Sequence, residues 1–100
     1  MKEKLFNKLS VARKAGKITY GFESVKEVVL SGKASLVLLA SDLSPKTAKE
    51  TQFFCKDKAM VVKTDKTMSD FSNAIGVVTG IITITDDGFT KAVKSVLEVE

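Results

Sequence analysis

The chain predicts an α/β domain in which helices alternate with short strands and a sheet lies between helical layers. Three observations carry this. Segments with apolar residues at helical spacing alternate with short β-branched runs along the whole sequence. Leu36-Val37-Leu38-Leu39-Ala40 is a continuous apolar run bounded by polar residues, as expected of a strand covered on both faces. No repeat, low-complexity tract or Pro/Gly linker interrupts the 100 residues, of which 44% are apolar, so one domain over 1–100 with its own core is expected.

Leu5, Leu9 and Ala12, with Phe6 beside them, recur at helical spacing, and Gly16 follows a basic last turn, predicting a helix over about 3–15. Ile18 to Tyr20 then reads as a short strand. Phe22, Val25 and Val29 form the apolar stripe of a second helix that stops near Gly32. Leu36 to Ala40 is the expected central strand. Ser44 before Pro45 places an N-cap ahead of proline at the first helical position, opening a third helix that ends near Asp57. Met60 to Thr64 is the next strand, and Thr67-Met68-Ser69-Asp70 has the form of a capping box before a short helix carrying Met68, Phe71 and Ile75 and ending at Gly76. Gly80 to Thr85, rich in β-branched residues, is the last strand. Asp86 is placed to cap a final helix built on Phe89, Ala92, Val93 and Val96. Crossovers between parallel neighbours in such a sheet are expected to be right-handed.

Composition excludes several classes of function. A single cysteine, Cys55, rules out an internal disulfide and a cysteine-based zinc site, and the absence of histidine removes the commonest metal ligand and general base. Cys55 falls on the apolar side of the third helix, as a small buried hydrophobe would. No apolar run approaches the roughly 18 residues of a membrane-spanning helix, and charges interrupt residues 1–15, so a cytoplasmic protein without a signal peptide is expected. Phosphate-binding loops, dinucleotide fingerprints and nucleophile elbows are missing, and Asp86 with Asp87 suits capping better than acid/base work. Neither a catalytic site nor a metal or cofactor site is therefore expected.

Charge is distributed unevenly. Residues 1–33 carry a net +5 and residues 34–100 a net −1, so the overall +4 comes from the first third. Such asymmetry fits a polyanion-binding face, and it fits a solvated lysine-rich helix equally well. Several features converge around Gly21. Glycine there lets the backbone approach a ligand, and the amides opening the next helix suit a phosphate or a base acceptor. Glu23 and Lys26 lie about 60° apart on that helix, outside its apolar stripe, so both reach one ligand. A lysine donates to guanine O6 and N7, and a carboxylate accepts the imino and amino protons of an exposed guanine edge. The alternative is an ordinary surface pair worth a few tenths of a kcal/mol. Phe22 sits at the edge of the stripe, which favours core packing over base stacking, although RNA-binding proteins do use aromatic platforms. Val77 and Val78, in the glycine-bracketed segment Gly76-Val77-Val78-Thr79-Gly80, either extend the strand inward or offer an apolar surface to an unstacked nucleotide.

Lys14-Ala15-Gly16-Lys17, Gly21 to Lys26, Ser31 to Pro45, Ala74-Ile75-Gly76 and Ile84 to Phe89, in that order, resemble the L7Ae/L30e family of ribosomal proteins, and within it the small bacterial YlxQ-like proteins. The likeness covers essentially the whole chain. It implies a three-layer α-β-α sandwich around a four-stranded mixed sheet, and binding of kink-turns or related RNA bends by the start of the second helix and the loop before the last strand. On this resemblance Glu23 and Lys26 meet tandem G·A pairs, and Val77, Val78 and Thr79 pack on a flipped-out nucleotide, with Gly21 counted among the RNA-binding residues. Asp42 orients Lys26, while Lys14, Lys17 and Lys33 meet phosphates. Two positions depart from the pattern: Phe22 stands where RNA-binding relatives often carry Asn or Lys, and Ser72 where many have glycine. The expectation is a non-enzymatic protein, monomeric when free, whose partner is structured RNA such as ribosomal RNA. The competing expectation is a protein-interaction module on the same scaffold, docking through Phe22 and the Val77-Val78 loop; an enzyme of small α/β type is a distant third.

Overall fold

Helix boundaries fall where capping chemistry places them. The computed structural model describes residues 2–99, in the order α1 (Lys2–Lys14), β1 (Ile18–Tyr20), α2 (Phe22–Leu30), β2 (Leu36–Leu39), α3 (Pro45–Cys55), β3 (Met60–Lys63), α4 (Met68–Ile75), β4 (Ile81–Ile84) and α5 (Asp87–Val99). At the end of α1, Gly16 N–H donates to Arg13 O at 3.0 Å and Lys17 N–H to Ala12 O at 2.9 Å, which satisfies carbonyls the helix leaves open. The Ser44 hydroxyl accepts from the Thr47 amide at 3.3 Å ahead of α3. Thr67 and Asp70 exchange side-chain-to-backbone bonds of 3.1 and 2.9 Å, the reciprocal box expected before Met68. The Asp86 carboxylate accepts from Phe89 N–H at 2.9 Å and so caps α5.

The four strands form one mixed sheet in the order β1-β4-β2-β3. β4 runs antiparallel to both β1 and β2, whereas β2 and β3, joined through α3, are parallel. Leu36–Leu39 is thus an interior strand, and every one of its residues is buried. Alternation along it divides the core in two. Leu36 and Leu38 face α1, α4 and α5, packing with Leu5, Leu9, Phe71 and Val93. Val37 and Leu39 face α2 and α3, packing with Val25, Val29, Ala48, Phe54 and Cys55. The result is a three-layer α-β-α sandwich. Thr83, the polar residue inside the sheet, is fully buried and donates its hydroxyl to Leu36 O at 2.6 Å.

Strand directions decide where the loops gather. β1, β2 and β3 all end at the edge of the sheet where β4 begins. Gly21, the 40–44 connection, residues 64–67 and the 76–80 loop therefore share one end of the molecule. Lys17 and Lys33, which precede β1 and β2, lie at the other.

Candidate nucleic-acid interface

Gly21 turns the chain from β1 into α2 with φ 88° and ψ 152°, a conformation almost exclusive to glycine. Its N–H donates to Ile81 O at 3.1 Å and its carbonyl accepts from Val25 N–H at 3.0 Å, pinning the start of α2 to the start of β4. A Cβ at Gly21 would meet nothing within 4 Å, so glycine is needed there for conformation. Without a side chain Gly21 caps no amide, and the first turn of α2 has no side-chain cap. Glu23 and Ser24 are exposed beside it and Lys26 is half-buried; with Glu27 and Leu30 they line a shallow depression. Among the described residues Lys26 makes no ion pair, so the surface pair with Glu23 is not formed.

The segment 76–80 crosses the same end of the sheet. Val78 is 80% exposed, whereas Val77 is half-buried and packs against the α1/α4/α5 core. Thr79 is 7% exposed, and its hydroxyl donates to Ile81 O at 3.0 Å and accepts from Ile81 N–H at 3.2 Å. Of the three residues expected against a nucleotide, only Val78 is therefore fully presented, and the Thr79 side chain closes its own turn. At Gly80 space is tight: a Cβ would stand 2.7 Å from Leu43 Cδ1 and 3.1 Å from Met68 Cε, so those side-chain ends would have to shift. That close approach holds the 40–44 connection and α4 against the loop.

Phe22 packs edge-on against Phe54, with ring centroids 5.4 Å apart, and joins the α2/α3 core, the packing favoured for it over stacking on a base, so its inclusion among the RNA-binding residues needs correction. Other expectations need correction too. Asp42 does not orient Lys26. Its Oδ1 accepts from Met68 N–H at 2.9 Å, where the positive end of α4 favours a carboxylate. Lys17 and Lys33 are exposed, but they precede β1 and β2 at the end of the sheet opposite Gly21, so they do not join Glu23 and Lys26 in one patch; Lys14 is exposed at the end of α1. Lys17 is separated from Gly21 by the length of β1, roughly 13 Å at strand rise.

Two contacts escaped the sequence. Arg13 Nε donates to Ile75 O at 3.3 Å, and its guanidinium lies 5.4 Å from the centroid of Tyr20, the residue preceding Gly21. One side chain thus ties the end of α1 to both segments of the candidate site, as a planar fork able to donate and stack at once. Lys66 is buried, with Nζ 2.6 Å from Asp65 Oδ1, and its carbonyl accepts from Ser41 N–H at 2.7 Å. Arg13 was legible as a basic last-turn residue, but its partners lie 62 and 7 positions away; for Lys66 no local pattern signals burial.

The arrangement offers a carboxylate acceptor, an ammonium donor, an uncapped helix start and an exposed valine within one cluster of loops. Among the described residues no group of acidic or cysteine side chains could hold a metal ion, and no helix is long and apolar enough to cross a membrane. A family model described as ribosomal protein L7Ae/L30e/S12e/Gadd45 matches residues 3–94. Among solved structures, a protein of unknown function from Bacillus halodurans is similar over 95% of this chain and 97% of its own, at 27% identity and a TM-score of 0.88. A Giardia lamblia 15.5kD RNA binding protein matches over 97% of this chain and 84% of its own, at 22% identity and a TM-score of 0.80, a likeness of fold.

Proposed function

The chain belongs to the ribosomal protein L7Ae/L30e/S12e/Gadd45 family, and from that membership we propose that it is a cytoplasmic, non-enzymatic RNA-binding protein that captures a kink-turn or similar bend in structured RNA, including ribosomal RNA. The observation that carries the proposal is the co-location of Glu23, Lys26, the uncapped start of α2 and exposed Val78 at one end of the sheet. Glu23 accepts the imino and amino protons of a guanine in a non-Watson–Crick pair, and Lys26 donates to guanine O6 and N7. Val78 covers a nucleotide expelled from the stack. Phosphate contacts from lysines outside the cluster add affinity without sequence information.

The competing reading, a protein-docking module, drew on Phe22, Val77 and Val78 together. Phe22 and Val77 pack against the core, which leaves Val78 as the one of the three fully presented for docking. Titration of a kink-turn RNA and a variant with its G·A pairs disrupted, at two salt concentrations, tests the reading. Preference for the intact bend at both salts is the expected result. Equal affinity for the two RNAs would reduce the site to a charged surface.

A further inference from the structure

α3 carries a feature the bend-recognising cluster does not use. Its inner side, Ala48, Thr51, Phe54 and Cys55, is buried, whereas Phe53 is 82% exposed. Lys46, Lys49 and Lys56 are exposed too. At 100° per residue Lys46, Lys49 and Phe53 fall within about 60° of arc, along about 10 Å of helix, and Lys56 follows as the residue that ends α3. Glu50 is the acidic residue flanking this stripe, and none of the three lysines is ion-paired among the described residues. An isolated exposed aromatic is unremarkable on its own. Here, however, its neighbours along the stripe are cations, an arrangement that combines a ring for stacking with charges for a phosphate backbone.

We propose that the Lys46-Lys49-Phe53 face of α3, with Lys56 at its C-terminal end, is a second binding site, for single-stranded RNA, with Phe53 stacked on a base and the lysines on flanking phosphates. Charge decides the class of partner: the stripe is positive, and no second large apolar side chain stands beside Phe53 in it to seat an apolar protein surface. A bilayer would require the wide apolar face of α3, which is already buried against the sheet. Phe54, adjacent to Phe53 in the chain, packs on Phe22 at the start of α2.

The chain has no tryptophan, so a Phe53→Trp variant reports on this position alone. Titration with a uridine octamer should quench its emission saturably. Phe53→Ala should weaken octamer binding by about tenfold, and Lys49→Gln should lower the salt slope by about 0.7, both with an unchanged melting temperature because these side chains are exposed. Lys26→Ala should leave octamer binding unaltered even if recognition of a bend is lost. Unquenched emission, equal binding by Phe53→Ala, or a response to anionic vesicles or to self-association but not to the octamer would overturn the proposal.

Discussion

Lys26 sits beside Glu23 without pairing to it, so its ammonium is committed to no carboxylate among the described residues before a ligand arrives. If it reads a guanine edge, Lys26→Ala should weaken binding of a kink-turn RNA by about 1–3 kcal/mol and leave an unrelated duplex nearly unaffected. Equal losses on both RNAs, measured by titration at one salt concentration, would mean that Lys26 contributes charge alone. Cys55 makes the opposite case, a group withheld from chemistry. Burial pushes its thiol from the ordinary 9.0 up to about 11, because the thiolate is the form that loses hydration. In the native protein at pH 8 Cys55 should resist iodoacetamide, and in denaturant it should react at the rate of a free thiol; rapid native alkylation would refute its burial. The folded thiol has the higher pKa, so the stability this group contributes is intact below pH 9 and falls as pH rises through 11, by about 2–3 kcal/mol in all.

At the scale of elements, Gly21 and Gly80 are read alike in the sequence and are required for different reasons. Gly21→Ala forces a side chain into a backbone region that costs about 1–3 kcal/mol, with open space around it. Gly80→Ala keeps an ordinary backbone and drives Cβ toward the ends of the Leu43 and Met68 side chains, which can shift, so its cost should fall at or below the low end of the about 1–3 kcal/mol of overpacking. Denaturant midpoints of the single and double variants separate the two: Leu43→Ala should offset much of the loss from Gly80→Ala and none of that from Gly21→Ala. Additive behaviour in both pairs would count against the Leu43 contact. All nine elements were legible because their signals are local. The Ser44-Pro45 start, the Thr67/Asp70 box and the Asp86 cap each depend on residues within three or four positions. What remained illegible depends on distant partners. Phe22 is held by Phe54, 32 residues on, and Asp42 by Met68, 26 on. Thr79 looked like a ligand-facing loop residue because nothing in its sequence announces that its hydroxyl closes a turn with Ile81.

Across the whole molecule, the positive first third of the sequence does not become one positive face. β1 and α2 each carry the chain across the sheet, so Lys17 and Lys33 stand at the end opposite Gly21. Near the loop cluster Lys26 and Lys63 share the surface with Glu23, Asp42 and Asp65. Specificity and long-range attraction are therefore separated in space, and RNA length should decide whether the far lysines take part. For a minimal bend confined to the loop end, Lys17→Gln and Lys33→Gln should alter neither the affinity nor its dependence on salt. When one stem is lengthened past the far end of β1, each substitution should lower affinity equally for intact and G·A-disrupted bends, and each should reduce the slope of log K against log salt by about 0.9. Titrations of the two RNA lengths over a salt series distinguish the cases. An effect of Lys17→Gln on the minimal bend as large as on the extended one would mean that the RNA docks across the β1 edge, on a surface other than the loop cluster.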